Sequence, residues 1–286
     1  MHRFRHTAMA TEFEIRCMHS DEAYARQAAR CGFEAVDRLE QQLSRFVENS
    51  DISRINHLPA GESTIVGYET MQCLQLAGLM YAETGGAFDA SIGTGFETLE
   101  LVPEEFVVRA GSDHVRLDLG AIGKGFAVDR LADVLEDWGV DQVLVDAGYS
   151  SVLALEPPAG QRVWPLTLSD PGNPGEVLVR IGARQQALGA SGIRKGEHIW
   201  DSREQGPVRS RRAAWVSAPR RVLVDIGRQA AVEGSAAAVA DALSTAFMVS
   251  PVEDIETYCR THPGLEVWVL EAGLMHFPGA EGPDPE

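Results

Sequence analysis

The sequence lacks the features that mark several special classes of protein. It has only four cysteines in 286 residues (Cys17, Cys31, Cys73 and Cys259), and none lies in a CxxC pair or at a zinc-ligand spacing from histidine. No run of about 18 apolar residues is present, so we expect no membrane-spanning segment. The basic amino terminus is not followed by an apolar segment, as it would be in a secretory signal. These absences predict reduced thiols and a cytoplasmic protein.

Positive charge is also scarce. Twenty-five Lys and Arg residues oppose 42 Asp and Glu residues, which gives a formal net charge of −17. Because so acidic a protein repels a phosphate backbone, we expect no nucleic acid as a partner. Eight of the 25 cations lie between Arg194 and Arg221, where they could attract an anionic ligand or an acidic partner, or form a solvated loop.

The composition is otherwise that of a globular protein, with 44% hydrophobic and 23% charged residues. Apolar spacing predicts helices near 20–45, 68–84, 126–139 and 235–249, with a further helix after 250. Alternation and short apolar runs predict strands near 13–15, 115–119, 142–147, 163–169, 177–181, 186–190, 214–218, 221–226 and 265–269.

This order of elements predicts an α+β fold with mixed or antiparallel sheets and flanking helices, rather than a doubly wound parallel sheet. No clean linker interrupts the chain, so residues 1–278 are expected to form a single domain, with two subdomains as an alternative. The tail 279–286, rich in Gly, Pro and acidic residues, is expected to be disordered.

A glycine-rich connection is the first candidate for chemistry. In 117–129 (LDLGAIGKGFAVD) a predicted strand leads through a turn into a helix. Backbone N–H groups at such a helix start can receive phosphate, and Lys124 adds a positive charge. The segment is not a Walker A loop, because Gly120 and Gly123 are too close together and Gly125 follows the lysine. The alternative is that the glycines only allow tight packing.

Two weaker candidates lie further along the chain. Asp241 and Thr245 are four residues apart on a predicted helix and share one face. Carboxylate and hydroxyl oxygens are ligands that Mg²⁺ prefers, although a solvated or capping pair is the alternative. His198 could act as a general base near neutral pH, or be merely exposed or hydrogen-bonded.

Together these segments resemble the FAD:protein FMN transferase family, the ApbE-type flavin transferases. The resemblance extends from about Met9 to Leu270, and its motifs follow the order of the family's motifs. The segments that carry the resemblance are Met9–Thr11, Leu43–Asn56, Thr84–Asp89, Leu117–Gly125, His198–Asp201 and Ala240–Ala246.

The resemblance implies an ApbE-like, T-fold-related architecture and a specific reaction. Such enzymes bind FAD and Mg²⁺, transfer FMN to a threonine of an acceptor protein and release AMP. By resemblance, the Mg²⁺ ligands would be the Ala121 carbonyl, Asp241 and Thr245, and His198 would take the proton of the threonine hydroxyl. The residues expected to contact FAD are Met9, Phe46, Ala87, Phe88, Asp89, Asp118, Lys124 and Ile199.

The sequence also departs from the family's motifs. Ala10 and Tyr149 stand where the family has glycine, and Ser202 stands where it has proline. The walls of the flavin site and of the acceptor channel are therefore expected to differ. Two alternatives stay open on this ground: a Mg²⁺-dependent FAD pyrophosphatase giving FMN and AMP, and a non-catalytic flavin-binding protein on the same scaffold.

Overall fold

The computed structural model describes residues 1–193, 200–201, 206–207, 211–220 and 235–279, with only the backbone for 200–201 and 206–207. In this part of the chain the α-helices are α1 (Glu22–Leu43), α2 (Asp51–Ile55), α3 (Tyr68–Glu83), α4 (Gly123–Asp137), α5 (Ala236–Ala246) and α6 (Val252–Thr261). The predicted helices at 20–45, 68–84, 126–139 and 235–249 are thus confirmed, with shifted ends. The first helix starts where expected, because the Asp21 side chain accepts a hydrogen bond from the Tyr24 N–H.

The strands belong to a large sheet and three small ones. They are β1 (His2–Ala8), β2 (Thr11–Cys17), β3 (Ser63–Ile65), β4 (Leu99–Val102), β5 (Val107–Ala110), β6 (Val143–Ala147), β7 (Ser151–Ala154), β8 (Trp164–Asp170), β9 (Asn173–Ala183), β10 (Gln186–Gly192), β11 (Trp200–Asp201), β12 (Gly206–Pro207), β13 (Ala213–Pro219), β14 (Glu266–Leu270) and β15 (Leu274–Pro278).

The large sheet has eight strands in the order β1-β2-β6-β7-β10-β13-β14-β15, and every neighbouring pair is antiparallel. Strands β3, β5 and β4 form a second antiparallel sheet, and β8 pairs with β9. Antiparallel sheets with flanking helices are the α+β arrangement that the order of elements predicts.

Each face of the large sheet buries its own apolar cluster. Helices α1, α4, α5 and α6 pack on one face, over a core that includes Phe13, Val145 and Val216. On the other face the β8–β9 hairpin covers a smaller cluster around Trp164, Trp215 and others. The sheet therefore forms the middle of three layers, and α4 and α5 lie side by side on the helical face.

The predicted strand at 115–119 is wrong. Val115, Leu117 and Leu119 are buried and alternate with more exposed residues, as the pattern requires. However, the Leu117 N–H and C=O both bond to the Asn56 side chain, and the Asp118 N–H donates to the Ala90 carbonyl. Side chains and a loop satisfy this backbone, so it stays extended without joining a sheet.

Other short elements also differ from the expectation. The interval 48–62, which reads as loop, contains α2, whose first turn is capped by the Ser50 hydroxyl. Strands β1, β3, β4, β5, β7 and β15 are not among those that the sequence predicts, although burial alternates along β1. The predicted strand at 221–226 and nearly all of the predicted tail lie outside the described residues. No helix in the described ranges is long and apolar enough to cross a membrane.

Candidate active site

The glycine-rich connection and the helix with Asp241 meet at one point. The Lys124 ammonium lies 3.3 Å from the Asp241 carboxylate, and the Gly125 N–H donates to the same oxygen, Oδ2, over 3.1 Å. These residues are more than a hundred positions apart in sequence. The two segments that the sequence singles out for anion and cation binding therefore share one site.

Glycine is required for this approach of the two helices. A Cβ atom on Gly125 would lie 2.2 Å from the Ala237 carbonyl oxygen, which no real contact allows. Gly189 on β10 packs as closely from the other side, since its Cβ would lie 2.1 Å from the Ala240 oxygen. Helix α5, alanine-rich and buried at every residue except Thr245, is held between these two glycines.

Side chains on both sides of it fix the turn before α4. The Asp118 side chain caps this turn by accepting the Gly120 N–H over 2.9 Å, and Lys124 donates to the Gly120 carbonyl over 2.8 Å. Helix α4 begins at Gly123, so the Gly125 N–H is one of the first-turn donors that have no acceptor within the helix. The Asp241 carboxylate accepts this N–H and so caps the first turn of α4, and Ala121 lies in the short turn just before it.

Hydroxyl groups extend the oxygen-rich site along α5. Thr245 donates from its hydroxyl to the Asp241 carbonyl over 3.3 Å. Ser191 on β10 lies 2.9 Å from the hydroxyls of both Thr245 and Ser244. The sequence gives no reason to place this hydroxyl beside Thr245.

Burial makes the site favourable for a cation. Asp241 is only 2% exposed, and this burial raises its pKa, whereas Lys124 and the Gly125 N–H lower it. The buried Ser151 hydroxyl also lowers the pKa of Asp241. A second positive charge would further stabilise the carboxylate.

The donors fit a hard divalent cation in type. The expected ligands are oxygen atoms only, from Asp241, Thr245 and the Ala121 carbonyl, and Mg²⁺ prefers oxygen. Water or phosphate oxygens usually complete the coordination shell of Mg²⁺. Within the described ranges no group of three or more His, Cys, Asp or Glu side chains forms a conventional metal cluster. A cation here would therefore be bound by one carboxylate with hydroxyl, carbonyl and ligand oxygens.

An exposed aromatic ring lies on the other side of the Asp118 turn. Phe46 is 83% exposed, and the Arg45 guanidinium lies over its ring, 4.4 Å from the centroid. The Arg45 Nε is 3.0 Å from the second Asp118 oxygen. Arg45 thus connects Phe46 and Asp118, two residues that the resemblance assigns to FAD binding. The resemblance assigns no role to Arg45 itself.

Three more of these residues lie in the loop that follows α3. The side chains of Ala87 and Phe88 are buried in the core, so a ligand would meet their backbone. Asp89 shapes the loop, because its carboxylate accepts the N–H groups of Ser91 and Gly93. The Asp118 N–H donates to Ala90 over 2.7 Å, which holds this loop against the capped turn.

Met9 lies in the β1–β2 turn, at the edge of the sheet. Met9 and Ala10 have φ angles of 49° and 56°, and Tyr149 in the β6–β7 turn has a φ of 61°. Left-handed backbone favours glycine. The backbone at positions 10 and 149 therefore suits the glycine that the family has there. This chain has Ala10 and Tyr149 instead.

Some predicted residues lie beyond what the structure describes. His198 and Ile199 are outside the described residues, as are five members of the basic run (Arg194, Lys195, Arg203, Arg209 and Arg221). The other three members are paired with acids: Arg211 with Glu271, Arg212 with Asp170, and Arg220 with Asp129 and its neighbours. These three arginines hold the fold together.

Asp129 is a buried positioning group that the sequence did not reveal. Its carboxylate accepts the N–H groups of Ala237 and Ala238, over 3.1 and 2.9 Å, and lies 3.3 Å from the Arg220 guanidinium. It therefore ties α4 to the first turn of α5. Burial raises the pKa of Asp129 to about 7, against the lowering effects of the Ala238 N–H and Arg220.

Comparison with known proteins gives a consistent result. The ApbE family model matches residues 9–269. The chain is 25% identical to the FAD:protein FMN transferase of Treponema pallidum, over 82% of this chain and 74% of that protein. It is also 25% identical to the FAD:protein FMN transferase of Vibrio cholerae serotype O1, over 40% of this chain and 42% of that one.

Solved structures share the fold over nearly the whole chain. The ApbE protein of Thermotoga maritima has a TM-score of 0.80 at 21% identity and covers 97% of this chain and 96% of its own. The flavin transferase ApbE of Vibrio cholerae has a TM-score of 0.81 at 18% identity, with the same coverage. Since the family match covers well over half of the residues, this chain belongs to the ApbE family.

Proposed function

We propose that this protein is a FAD:protein FMN transferase that uses Mg²⁺ and a threonine acceptor. The observation that carries the proposal is the meeting of Lys124 and Gly125 with Asp241 in a buried, oxygen-lined site. Family membership and two relatives named FAD:protein FMN transferase support it. The negative net charge is consistent with the proposal, because an acidic chain needs local positive groups, such as Lys124 and a bound cation, to accept a diphosphate.

One group of residues would bind the metal, and another group would bind FAD. Asp241, Thr245 and the Ala121 carbonyl would hold Mg²⁺, which when bound neutralises charge on the diphosphate oxygens. Lys124 supplies a second positive charge beside the same oxygens. Phe46 and Asp118, together with Met9, Ile199 and the Ala87–Asp89 loop, would receive the rest of FAD.

The transfer itself needs a base and an in-line nucleophile. In the proposed reaction the acceptor threonine oxygen forms a bond to the phosphorus of the FMN part, and the bond from that phosphorus to the bridging oxygen breaks. AMP leaves with the bridging oxygen, and His198 takes the threonine proton. The products are AMP and a protein carrying FMN as a phosphoester.

The test combines two readouts. The purified protein is incubated with FAD and Mg²⁺ alone, and then with protein extract from the organism that encodes it. We expect AMP and covalent flavin only with extract, and peptide mass spectrometry should place FMN on a threonine. AMP without extract would instead identify a pyrophosphatase. Retained flavin without AMP in either case would identify a non-catalytic binding protein.

A further inference from the structure

The contacts around the candidate site form one continuous series. Arg45 lies over the Phe46 ring and bonds to Asp118, which caps the turn through the Gly120 N–H. The Gly120 carbonyl then accepts from Lys124, which pairs with Asp241. Arg45 is thus the connection between an exposed aromatic ring and a buried charged site.

Phe46 needs such a support because little else holds its ring. It lies in the loop after α1, where its N–H donates to the Ser44 hydroxyl, and its side chain is almost fully exposed. An exposed ring of this kind samples several rotamers, and fixing it on binding costs entropy. A planar guanidinium stacked on one face, itself anchored by a carboxylate, reduces that freedom.

We propose that Arg45 is a positioning residue for FAD: anchored on Asp118, it backs one face of Phe46 and leaves the other face presented to the isoalloxazine ring. The inference rests on the proposed function for the identity of the ligand. It goes beyond that function, because Arg45 contacts Phe46 and Asp118 rather than the ligand. The flat, forked shape of arginine is required, so lysine is a poor substitute.

The test is a double-mutant cycle on FAD affinity. Quenching of flavin fluorescence gives the Kd of FAD for the wild type, Arg45→Met, Phe46→Leu and the double variant. We expect Arg45→Met to weaken binding roughly fivefold and Phe46→Leu roughly tenfold. The double variant should bind no more weakly than Phe46→Leu, because Arg45 acts through that ring.

Two further measurements separate positioning from general damage. Arg45→Lys should restore little of the affinity, and in the FMN-transfer assay Arg45→Met should raise KM for FAD with kcat unchanged. Arg30 is another exposed arginine, and it pairs with Glu34 on α1, so Arg30→Ala serves as the control and should leave the Kd unchanged.

The outcomes are distinct. Additive losses in the double variant would show that Arg45 contacts FAD directly, and unchanged or tighter binding by Arg45→Met would show that it does not prepare the site. Either result overturns this inference alone. A wild-type protein that fails to bind FAD would overturn the proposed function as well.

Discussion

The two sides of the candidate site are built in opposite ways. On the α4–α5 side, Asp241 is buried, two glycines allow backbone contact, and every donor has a fixed place. On the Phe46 side, the ring and Arg45 are exposed and held by one cation–π contact and one ion pair. The buried side is therefore fixed by packing within the protein, whereas the exposed side depends on these two contacts. Substitutions on the two sides should therefore differ in size and in kind.

The largest effect is expected at Asp241. Asp241→Ala removes the carboxylate that would hold the cation and leaves Lys124 without its partner, so FMN transfer should fall at least about 1000-fold. AMP release measured by chromatography checks this, with circular dichroism to show that the variant is folded. Asp254→Ala, on the exposed first turn of α6, is the control. Normal turnover by Asp241→Ala would remove the metal role.

A single methyl group at Gly125 should have the next largest effect. Gly125→Ala forces α4 and α5 apart, because its Cβ would overlap the Ala237 carbonyl. We expect a loss of about 1–3 kcal/mol in unfolding free energy and roughly 100-fold in transfer rate. Gly123→Ala in the same helix is a matched control, since its Cβ would lie 3.8 Å from Leu119. Equal effects of the two would contradict the close-contact argument.

Asp129 should make the buried side sensitive to pH. Its folded pKa of about 7 lies above the unfolded value of about 3.9. The folded state therefore holds a proton that the unfolded chain has lost between these values, so the contribution of this group to stability falls as pH rises through that window. As pH rises through that window, the unfolding free energy of the wild type should fall more steeply than that of Asp129→Asn. The difference should be up to about 1 kcal/mol per pH unit.

Urea denaturation at several pH values across that window measures this difference. Asp133→Asn, which also removes an acidic partner of Arg220 but leaves the buried group intact, should keep the wild-type pH dependence. A difference between wild type and Asp129→Asn that does not change with pH would contradict the account.

The smallest effect on stability is expected at the exposed side. Phe46→Leu should change the unfolding free energy by less than about 0.5 kcal/mol, because the ring packs against little but Arg45. The same variant should still weaken FAD binding, as described above. Thermal unfolding without ligand, compared with Gly125→Ala, separates the two sides. A large loss of stability in Phe46→Leu would show that the ring belongs to the core.

The sequence predicts well the helices and motifs that depend on short-range patterns. The helical stripes located α1, α3, α4 and α5, and the motif order indicated the family that the comparisons establish. The alternation at 115–119 correctly gave which side chains are buried. It could not show that Asn56, sixty-one residues earlier, satisfies the backbone in place of a neighbouring strand.

The contacts that build the site are long-range and leave no local signal. Asp129 looks like any polar residue on α4 until the fold brings Ala237 and Arg220 to it. Ser191 beside Thr245 depends on β10 packing against α5, and Arg45 on Asp118 depends on a loop docking on a turn. The residues of the site that do carry a sequence signal are Lys124 and Gly125, in the glycine-rich motif, and Asp241 and Thr245, on one face of a predicted helix.

In the proposed function, Asp241 and the Lys124 turn bind a divalent cation together with the diphosphate of FAD. The most direct test is titration of FAD with and without Mg²⁺ into the wild type and Asp241→Asn, followed by flavin fluorescence. We expect Mg²⁺ to tighten FAD binding by the wild type at least tenfold, or about 1.4 kcal/mol, and to leave FAD binding by the variant unchanged. Equal Mg²⁺ dependence in both proteins would contradict this expectation.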